Sequence, residues 1–334
     1  MRRIMILLVI AALGLSACGG AAAPTASPAP PTAQTLTHVK YAMGYIPDIQ
    51  FAPFYVAAEK GYFKEEGLEI EFVTMFENDS APLVGKNELQ FATISAEQVL
   101  QARAQGLPLV YVAAWYQKFP VAVVARKSLG LTSPSELKGH KIGLPGLYGA
   151  SYVGLRALLK QAGVAESEVT LDSIDFNQVP AFIAGTEDVV VGYANNEPVQ
   201  LQASGAEITV FNVADYVHMA SNGMVTNEKT MAEQPELVRG LVRALLRGLA
   251  DTIANPDEAY LISTQYVEGL SNADAVKTAT QKQVLAASIE MWKADRLGLS
   301  DPQGWENTQA TLLDMGLLTA PLDLSQVYTN EFVP

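Results

Sequence analysis

Five short segments of this sequence together supply aromatic rings and amide, carboxylate or hydroxyl side chains, a combination suited to noncovalent recognition of a flat molecule with polar edges. Rings stack on the faces of such a molecule, while amides and carboxylates hydrogen-bond to its edges. The segments are residues 44–55, 95–98, 115–117, 144–151 and 191–198. We predict that the ligand-binding residues within them are Tyr45, Asp48, Gln50, Phe51, Phe54, Ser95, Trp115, Tyr116, Tyr148, Ser151, Tyr193, Asn195, Asn196 and Glu197.

Each of these residues also has a purely structural interpretation. Tyr45 and Phe54 could pack in a core, and Ser95 and Ser151 could do no more than cap helices. The binding hypothesis depends on the accumulation of such residues in five segments rather than on any single one. Lys118 is the only basic residue in or beside the segments, so a phosphate or sulfonate would have to rely on helix dipoles.

Centres for covalent, redox or metal chemistry are scarce in this chain. Cys18 is the only cysteine, and the three histidines, His38, His140 and His218, include no two at metal-ligand spacing. The sequence therefore predicts no catalytic residue, no metal site and no cofactor.

Alternating strands and helices must position the five segments. From His38 to about Asn212, short β-rich runs alternate with helical segments, which predicts mainly parallel sheets with helices on their faces. After about Asn227 the pattern is almost entirely helical. Every one of the segments begins at the end of a predicted strand or directly after it, where ligands bind in open α/β sheets.

This pattern predicts an α/β fold of two lobes with a ligand cleft between them and a C-terminal helical return. We assign residues 38–122 together with 223–334 to lobe 1, and residues 123–222 to lobe 2. The chain length also exceeds the usual size of one core and suits two.

The N-terminus carries an export signal. Arg2 and Arg3 precede an apolar run that is too short to span a bilayer permanently, so residues 1–17 are predicted to be a signal peptide. The following Leu-Ser-Ala-Cys resembles a bacterial lipobox, in which Cys18 is lipidated (palmitate) and becomes the first mature residue. Residues 18–37, rich in Ala and Pro, are predicted to be a tether that holds the protein on the extracytoplasmic face of the cell membrane.

The charge balance limits the choice of partners. Without Arg2 and Arg3, 20 basic residues stand against 35 acidic ones, a formal charge of −15. Such an acidic protein is disfavoured as a nucleic-acid binder, because both partners are negative. We therefore expect a small planar organic ligand rather than a nucleic acid.

Several motifs between about residue 38 and the C-terminus resemble a bacterial solute-binding family for aliphatic sulfonates and thiamine pyrimidine precursors. They are residues 44–47 (Gly-Tyr-Ile-Pro), 54–57, 59–68, 226–229, 234–238, 305–307, 316–318 and 328–332. The resemblance implies a type II periplasmic-binding-protein fold whose two lobes are joined by crossing strands, which we place near Val121–Ala125 and Gly223–Thr226. It also implies an ATP-powered importer whose permease and ATPase are separate chains, and we expect this chain to be a monomer.

Within that family, residues 44–54 and 192–198 look most like the riboflavin-binding branch. Pyrimidine-binding members carry an Asp-Trp-Thr-Pro-Asn type of segment where this chain has Gly-Tyr-Ile-Pro-Asp. An isoalloxazine edge would suit Gln50, Asn195 or Asn196, and ribityl hydroxyls would suit Asp48 or Glu197. Riboflavin is our first expectation for the ligand, a thiamine pyrimidine precursor the second and an aliphatic sulfonate the third.

Two other classes of protein remain as alternatives. Eukaryotic relatives of the family synthesise the thiamine pyrimidine with a cysteine-rich segment and a histidine, and this chain has no cysteine besides Cys18. A sensor or adhesion module with the same fold is the other alternative. We expect a binding protein rather than an enzyme.

Overall fold

Two five-stranded sheets organise residues 35–334, which are the residues described by this computed structural model. The first sheet has the strand order β2-β1-β3-β10-β4 and the second the order β7-β6-β8-β5-β9. In chain order the strands are β1 (Thr37–Gly44), β2 (Leu68–Phe76), β3 (Phe91–Ser95), β4 (Leu109–Ala114), β5 (Val121–Arg126), β6 (Lys141–Leu144), β7 (Thr170–Ser173), β8 (Val189–Tyr193), β9 (Ile208–Asn212) and β10 (Asn222–Asn227).

Helices connect the strands of both sheets and make up most of the chain after β10. They are α1 (Ala52–Glu59), α2 (Tyr62–Glu65), α3 (Glu77–Gly85), α4 (Ala96–Ala104), α5 (Gly149–Gln161), α6 (Gln178–Ala184), α7 (Glu197–Ala203), α8 (Glu228–Glu233), α9 (Pro235–Ala254), α10 (Pro256–Ser263), α11 (Ala275–Trp292), α12 (Pro302–Asp314) and α13 (Leu324–Val327). Among the described residues, no helix has the length and apolar character to cross a membrane. The predicted signal peptide and Cys18 lie outside the described residues.

The central strand of each sheet is almost completely buried because helices cover both faces of the sheet. All five residues of β3 and the first four of β8 are buried. Continuous buried runs of this kind are typical of strands in doubly covered sheets with parallel neighbours. The expectation of an α/β fold with mainly parallel sheets is therefore confirmed.

One strand in each sheet runs against the others. β10 is antiparallel to both β3 and β4, and β5 is antiparallel to both β8 and β9. These two strands come directly after the chain has passed from one sheet to the other, so no crossover helix forces them to be parallel. The predicted crossings, Val121–Ala125 and Gly223–Thr226, lie within β5 and β10, and the chain passes between the sheets just before each of them.

The long helix α9 packs closely against α1, which follows the first candidate segment. Leu241, Leu245 and Leu249 on α9 are buried, and Gly248 faces α1. A Cβ atom at Gly248 would lie 2.2 Å from the backbone oxygen of Pro53 and 2.8 Å from the Cβ of Ala57. The close approach of the two helices therefore requires glycine at this position.

We predict that Gly248→Ala lowers the free energy of unfolding by about 1–3 kcal/mol, because the added methyl group must push two packed helices apart. Gly240→Ala on the same helix is the matched control, since its Cβ would meet only the Glu66 side chain, whose Cβ lies 3.2 Å away, and no backbone atom within 4 Å is among its nearest neighbours. The control should be neutral or stabilising by up to about 1 kcal/mol. Urea unfolding of both variants measures the difference, and equal midpoints would contradict the prediction.

Candidate functional site

A cavity of about 310 Å³ lies where the carboxyl ends of the parallel strands in both sheets face each other. Loops after β1, β4, β6 and β8 supply its walls, together with the first residue of the antiparallel β10. The strand-end rule used on the sequence thus leads to one continuous cavity. Of the predicted binding residues, those that line it are Tyr45, Gln50, Phe51, Trp115, Tyr116, Tyr148, Ser151, Tyr193, Asn196 and Glu197.

Four predicted residues, Asp48, Phe54, Ser95 and Asn195, lie behind the cavity wall instead of in it. Phe54 packs edge-on against Trp115, with ring centroids 5.1 Å apart. The other three hydrogen-bond to residues that do line the cavity. The polar side chains of Asp48, Ser95 and Asn195 hold lining residues in place, which explains why these three residues do not line the cavity themselves.

The sequence reasoning missed two stretches of the wall. Residues 76–79, at the end of β2 and the start of α3, contribute Phe76, Glu77, Asn78 and Asp79, and the loop after β7 contributes Phe176. Both stretches follow strands, so applying the strand-end rule to β2 and β7 as well would have found them. Asn222 was missed for another reason, because it begins an antiparallel strand and the rule looks only at strand ends.

One wall of the cavity is a packed group of aromatic rings. The rings of Phe51 and Trp115 are stacked, with centroids 5.1 Å apart and an interplanar angle of 29°. Trp292 of α11 stacks on Trp115 from behind, at 5.9 Å. Because Trp115 is only 5% exposed, this wall is rigid before any ligand enters.

A second aromatic group joins the two sheets at the cavity mouth. Tyr45 and Phe76 follow strands of the first sheet, whereas Phe176 follows a strand of the second. Phe176 lies 4.9 Å from Tyr45 and 5.1 Å from Phe76, with the latter pair of rings stacked at 22°. Phe76 and Phe176 each cover one face of the other ring and are each 38% exposed, so part of each side chain remains accessible.

A buried hydrogen-bond network fixes Gln50 in the cavity wall. The Gln50 Oε1 accepts hydrogen bonds from Tyr116 Oη at 3.1 Å and from Asn195 Nδ2 at 2.7 Å. Asp48 Oδ1 accepts from the Gln50 backbone N–H and from Gln50 Nε2, both at 3.0 Å. Asn195 also donates to Ser288 Oγ of α11, at 2.7 Å. Residues from both sheets and from the C-terminal helices thus hold one amide in place.

Glu77 is the carboxylate on the first-sheet side of the cavity. Its Oε2 accepts from the Ser95 backbone N–H at 2.9 Å and from Ser95 Oγ at 2.5 Å, and its Oε1 accepts from Asn222 Nδ2 at 3.0 Å. Ser95 Oγ is also within hydrogen-bond distance of the buried Glu97. Burial raises the pKa of both Glu77 and Glu97, and the charge of Glu77 raises that of Glu97 further.

Glu197 is the carboxylate on the second-sheet side. Its Oε2 accepts from the Tyr193 backbone N–H at 2.6 Å, and its Oε1 accepts from Asn196 Nδ2 at 3.2 Å. Burial outweighs these bonds and raises the pKa of Glu197 to about 7. Gly192 makes room for the carboxylate, since a Cβ there would lie 2.5 Å from Glu197 Oε2.

The charges around the cavity are of one sign. Glu77, Asp79 and Glu197 line it, and within residues 35–334 no lysine, arginine or histidine does. This arrangement offers acceptors to N–H and O–H groups and repels anions, because the cavity supplies no cation to neutralise them. It favours an uncharged or cationic ligand.

The two sheets, their strand order and the cavity between their strand ends define a periplasmic-binding-protein fold. The periplasmic aliphatic sulphonate binding protein SsuA from Escherichia coli has the same fold, with a TM-score of 0.70 at 13% identity over 86% of this chain and 91% of that one. The chain belongs to the NMT1/THI5-like family, whose model matches residues 48–259. The type II fold and the family resemblance predicted from the sequence are therefore confirmed.

Three relatives show the range of the family. The riboflavin-binding protein RibY of Chloroflexus aurantiacus is 44% identical over 99% of this chain and 98% of its own length. The formylaminopyrimidine-binding protein of Halalkalibacterium halodurans is 30% identical over 89% of this chain and 91% of its own. A 4-amino-5-hydroxymethyl-2-methylpyrimidine phosphate synthase of Legionella pneumophila is 25% identical over 84% of this chain and 88% of its own.

We predict that the protein becomes less stable as the pH rises from about 4.5 to about 7, because the unfolded chain then releases a proton that the buried Glu197 keeps. Each such group changes the free energy of unfolding by up to about 1.4 kcal/mol per pH unit. Thermal unfolding across this range should give a smaller loss of stability in Glu197→Gln than in the unsubstituted protein. Equal losses would show that Glu197 ionises in the folded state as readily as in the unfolded one.

Proposed function

We propose that this protein binds riboflavin outside the cytoplasmic membrane and delivers it to the permease of an ABC-type importer. The observation that carries this proposal is the composition of the cavity wall, with aromatic faces from both sheets, amide and carboxylate edges, and no basic lining residue among those described. Riboflavin is flat, uncharged at neutral pH and rich in hydrogen-bond donors. The similarity to RibY along almost the whole chain supports the same ligand.

The proposed binding mode follows from the two kinds of wall. The isoalloxazine would lie against rings such as Tyr45, Phe176 and Tyr193, with its polar edge toward Gln50 or Asn196. The ribityl hydroxyls would donate to the carboxylates at the other end. A volume of about 310 Å³ is at the lower end for a small-molecule cavity, consistent with a single ligand that fills it.

We further propose that the two sheets belong to lobes that close on the ligand, with residues 38–122 and 223–334 in one lobe and 123–222 in the other. The strand orders support this division, because β1 to β4 and β10 form one sheet and β5 to β9 form the other. Two contacts at the cavity join residues of the two sheets. Phe76 stacks on Phe176, and Tyr193 Oη donates to Asn222 Oδ1 at 3.4 Å. Such contacts would break when the lobes open.

The proposal places the protein on the extracytoplasmic face of the cell membrane, anchored by a lipid on Cys18. The signal-like residues 1–17 and the Leu-Ser-Ala-Cys motif support this location. Residues 18–37 would then act as the tether that lets the binding unit reach its permease and ATPase partners.

A thiamine pyrimidine precursor is the second candidate ligand. The observation that favours it is the pair of cavity carboxylates, Glu77 and Glu197, because an aminopyrimidine presents N–H donors that such groups accept. The formylaminopyrimidine-binding relative supports the same alternative. A sulfonate is the least favoured candidate, because it would place a permanent anion beside these carboxylates.

We propose binding without catalysis, although the family includes a synthase. The higher identity to a riboflavin-binding protein supports this choice. Cys18 is the only cysteine of the chain, which supports this choice as well. The family resemblance implies a cysteine-rich segment in the eukaryotic synthases. Recovery of chemically unchanged ligand after incubation with the protein would agree with this proposal.

We predict that purified protein quenches riboflavin fluorescence on binding, and that Phe176→Ala weakens the affinity roughly two- to tenfold through loss of ring contact. Tyr216→Ala is the matched control, because Tyr216 is similarly exposed, at 41%, and does not line the cavity. The control should bind as tightly as the unsubstituted protein.

Melting temperatures measured with each candidate ligand decide between these ligands. If riboflavin leaves the melting temperature unchanged while a formylaminopyrimidine raises it, the pyrimidine proposal replaces the riboflavin one. Equal effects of Phe176→Ala and Tyr216→Ala would refute the assignment of the cavity as the binding site.

We also predict that flavin mononucleotide binds at least about tenfold more weakly than riboflavin, because its phosphate adds negative charge to a cavity lined by Glu77, Asp79 and Glu197. Competition titrations against riboflavin at low and high salt measure the difference. Equal affinity for the two flavins would show that the phosphate remains outside the cavity.

A further inference from the structure

Ser95 lies between two carboxyl groups but has only one hydroxyl hydrogen to donate. Its Oγ is 2.5 Å from Glu77 Oε2 and is also in hydrogen-bond contact with Glu97 Oε1. A hydroxyl donates one hydrogen and accepts others, whereas an ionised carboxylate can only accept. Both contacts can be hydrogen bonds only if one of the two carboxyl groups is protonated and donates to Ser95.

The surroundings of the two carboxyl groups indicate which one holds the proton. Glu77 accepts two further hydrogen bonds, from the Ser95 backbone N–H and from Asn222 Nδ2, which stabilise its charged form. Glu97 is 0% exposed, and its Oε2 has no hydrogen-bond partner within the described part of the chain. A buried ionised carboxylate with a free oxygen is costly, whereas a neutral acid in the same place costs much less.

We propose that Glu97 is a positioning residue of the ligand site, which keeps its proton, donates it to Ser95 Oγ, and so leaves Ser95 free to donate to the Glu77 carboxylate in the cavity wall. The chain Glu97–Ser95–Glu77 then carries one negative charge, located on the residue that can meet the ligand. This inference rests on the proposed function, because it concerns the same cavity.

The other titratable groups near Glu97 do not favour its ionisation. Glu77 faces it from α3, Tyr193 from β8 and Tyr111 from β4, and the charge of Glu97 raises the pKa of both tyrosines. The two tyrosines are therefore neutral at ordinary pH, and Glu77, whose pKa burial raises to about 7, becomes negative above that pH. Burial and the charge of Glu77 together raise the pKa of Glu97 to about 8.

The shared proton couples ligand affinity to pH. An uncharged ligand displaces water from the cavity, and a second carboxylate charge is harder to accommodate without that water. Ligand binding therefore favours the protonated form of Glu97. By linkage, affinity must fall when the pH rises above the pKa of Glu97, by at most tenfold per pH unit for one proton.

The first test needs no ligand. Infrared difference spectra of the full chain, recorded across the pKa of about 8, should show a protonated-carboxyl C=O band that disappears as the pH rises. The band component that titrates near pH 8 should be absent from Glu97→Gln and should persist in Glu197→Gln, which loses only the Glu197 component that titrates near pH 7. Absence of the component that titrates near pH 8, or its persistence in Glu97→Gln, would overturn the proposal whether or not riboflavin is the ligand.

The second test measures riboflavin affinity by fluorescence quenching over the same pH range. Glu97→Gln keeps a donor toward Ser95 and cannot ionise, so it should bind within about twofold of the unsubstituted protein at neutral pH and lose the decline at alkaline pH. Ser95→Ala removes the hydroxyl bridge and should weaken binding at all pH values. A Glu97→Gln profile that declines like the unsubstituted one would refute the proposal.

Failure of the proposed function gives a different pattern. If riboflavin does not bind to any of these proteins, the proposed ligand is wrong, and the infrared band alone decides the protonation of Glu97. A band that behaves as expected would then support the proton assignment for a cavity with another ligand. Circular dichroism at each pH ensures that only folded protein is compared.

Discussion

A carboxylate can be buried only where hydrogen-bond donors replace the water it loses, and this constraint shapes the whole site. Glu77 meets it with donors from the ends of β3 and β10, and Glu197 meets it with the N–H at the end of β8. Each carboxylate therefore takes these donors from strands of a single sheet, the first sheet for Glu77 and the second for Glu197. The position of the antiparallel β10 beside β3 is part of this arrangement, since it places Asn222 opposite Ser95.

The aromatic walls depend on the same arrangement for a different reason. Rings held by other rings, as Trp115 is held by Phe51 and Trp292, lose little freedom when a ligand arrives. The mouth rings Phe76 and Phe176 are more exposed and come from different sheets. The site thus combines the fixed wall around Trp115 with a contact between Phe76 and Phe176 that can form and break. The acidic side chains of the cavity restrict the charge of the ligand that enters.

Much of the fold followed from the sequence, because strand and helix periodicity is a local property. The predicted alternation of β-rich runs and helical segments from His38 to about Asn212 corresponds to β1 to β9 and the helices between them, and the family motifs indicated the two-lobe architecture. The site was predictable to the extent that strand-end loops carry it. The burial of Ser95 and Asn195 was not, because it depends on partners such as Glu77 and Ser288, which are far away in the sequence. The antiparallel direction of β5 and β10 could not be read from local patterns for the same reason.

Two contacts link the cavity to a part of the chain beyond the family-matched region, which ends at residue 259. Asn195 of the second sheet donates to Ser288 on α11, and Trp292 of the same helix supports Trp115. A fragment trimmed to the matched region would leave Asn195 without its Ser288 partner and would expose one face of the Trp115 indole. The smallest autonomous recognition module therefore extends at least through α11, and the C-terminal helices are integral to molecular recognition rather than an appendage.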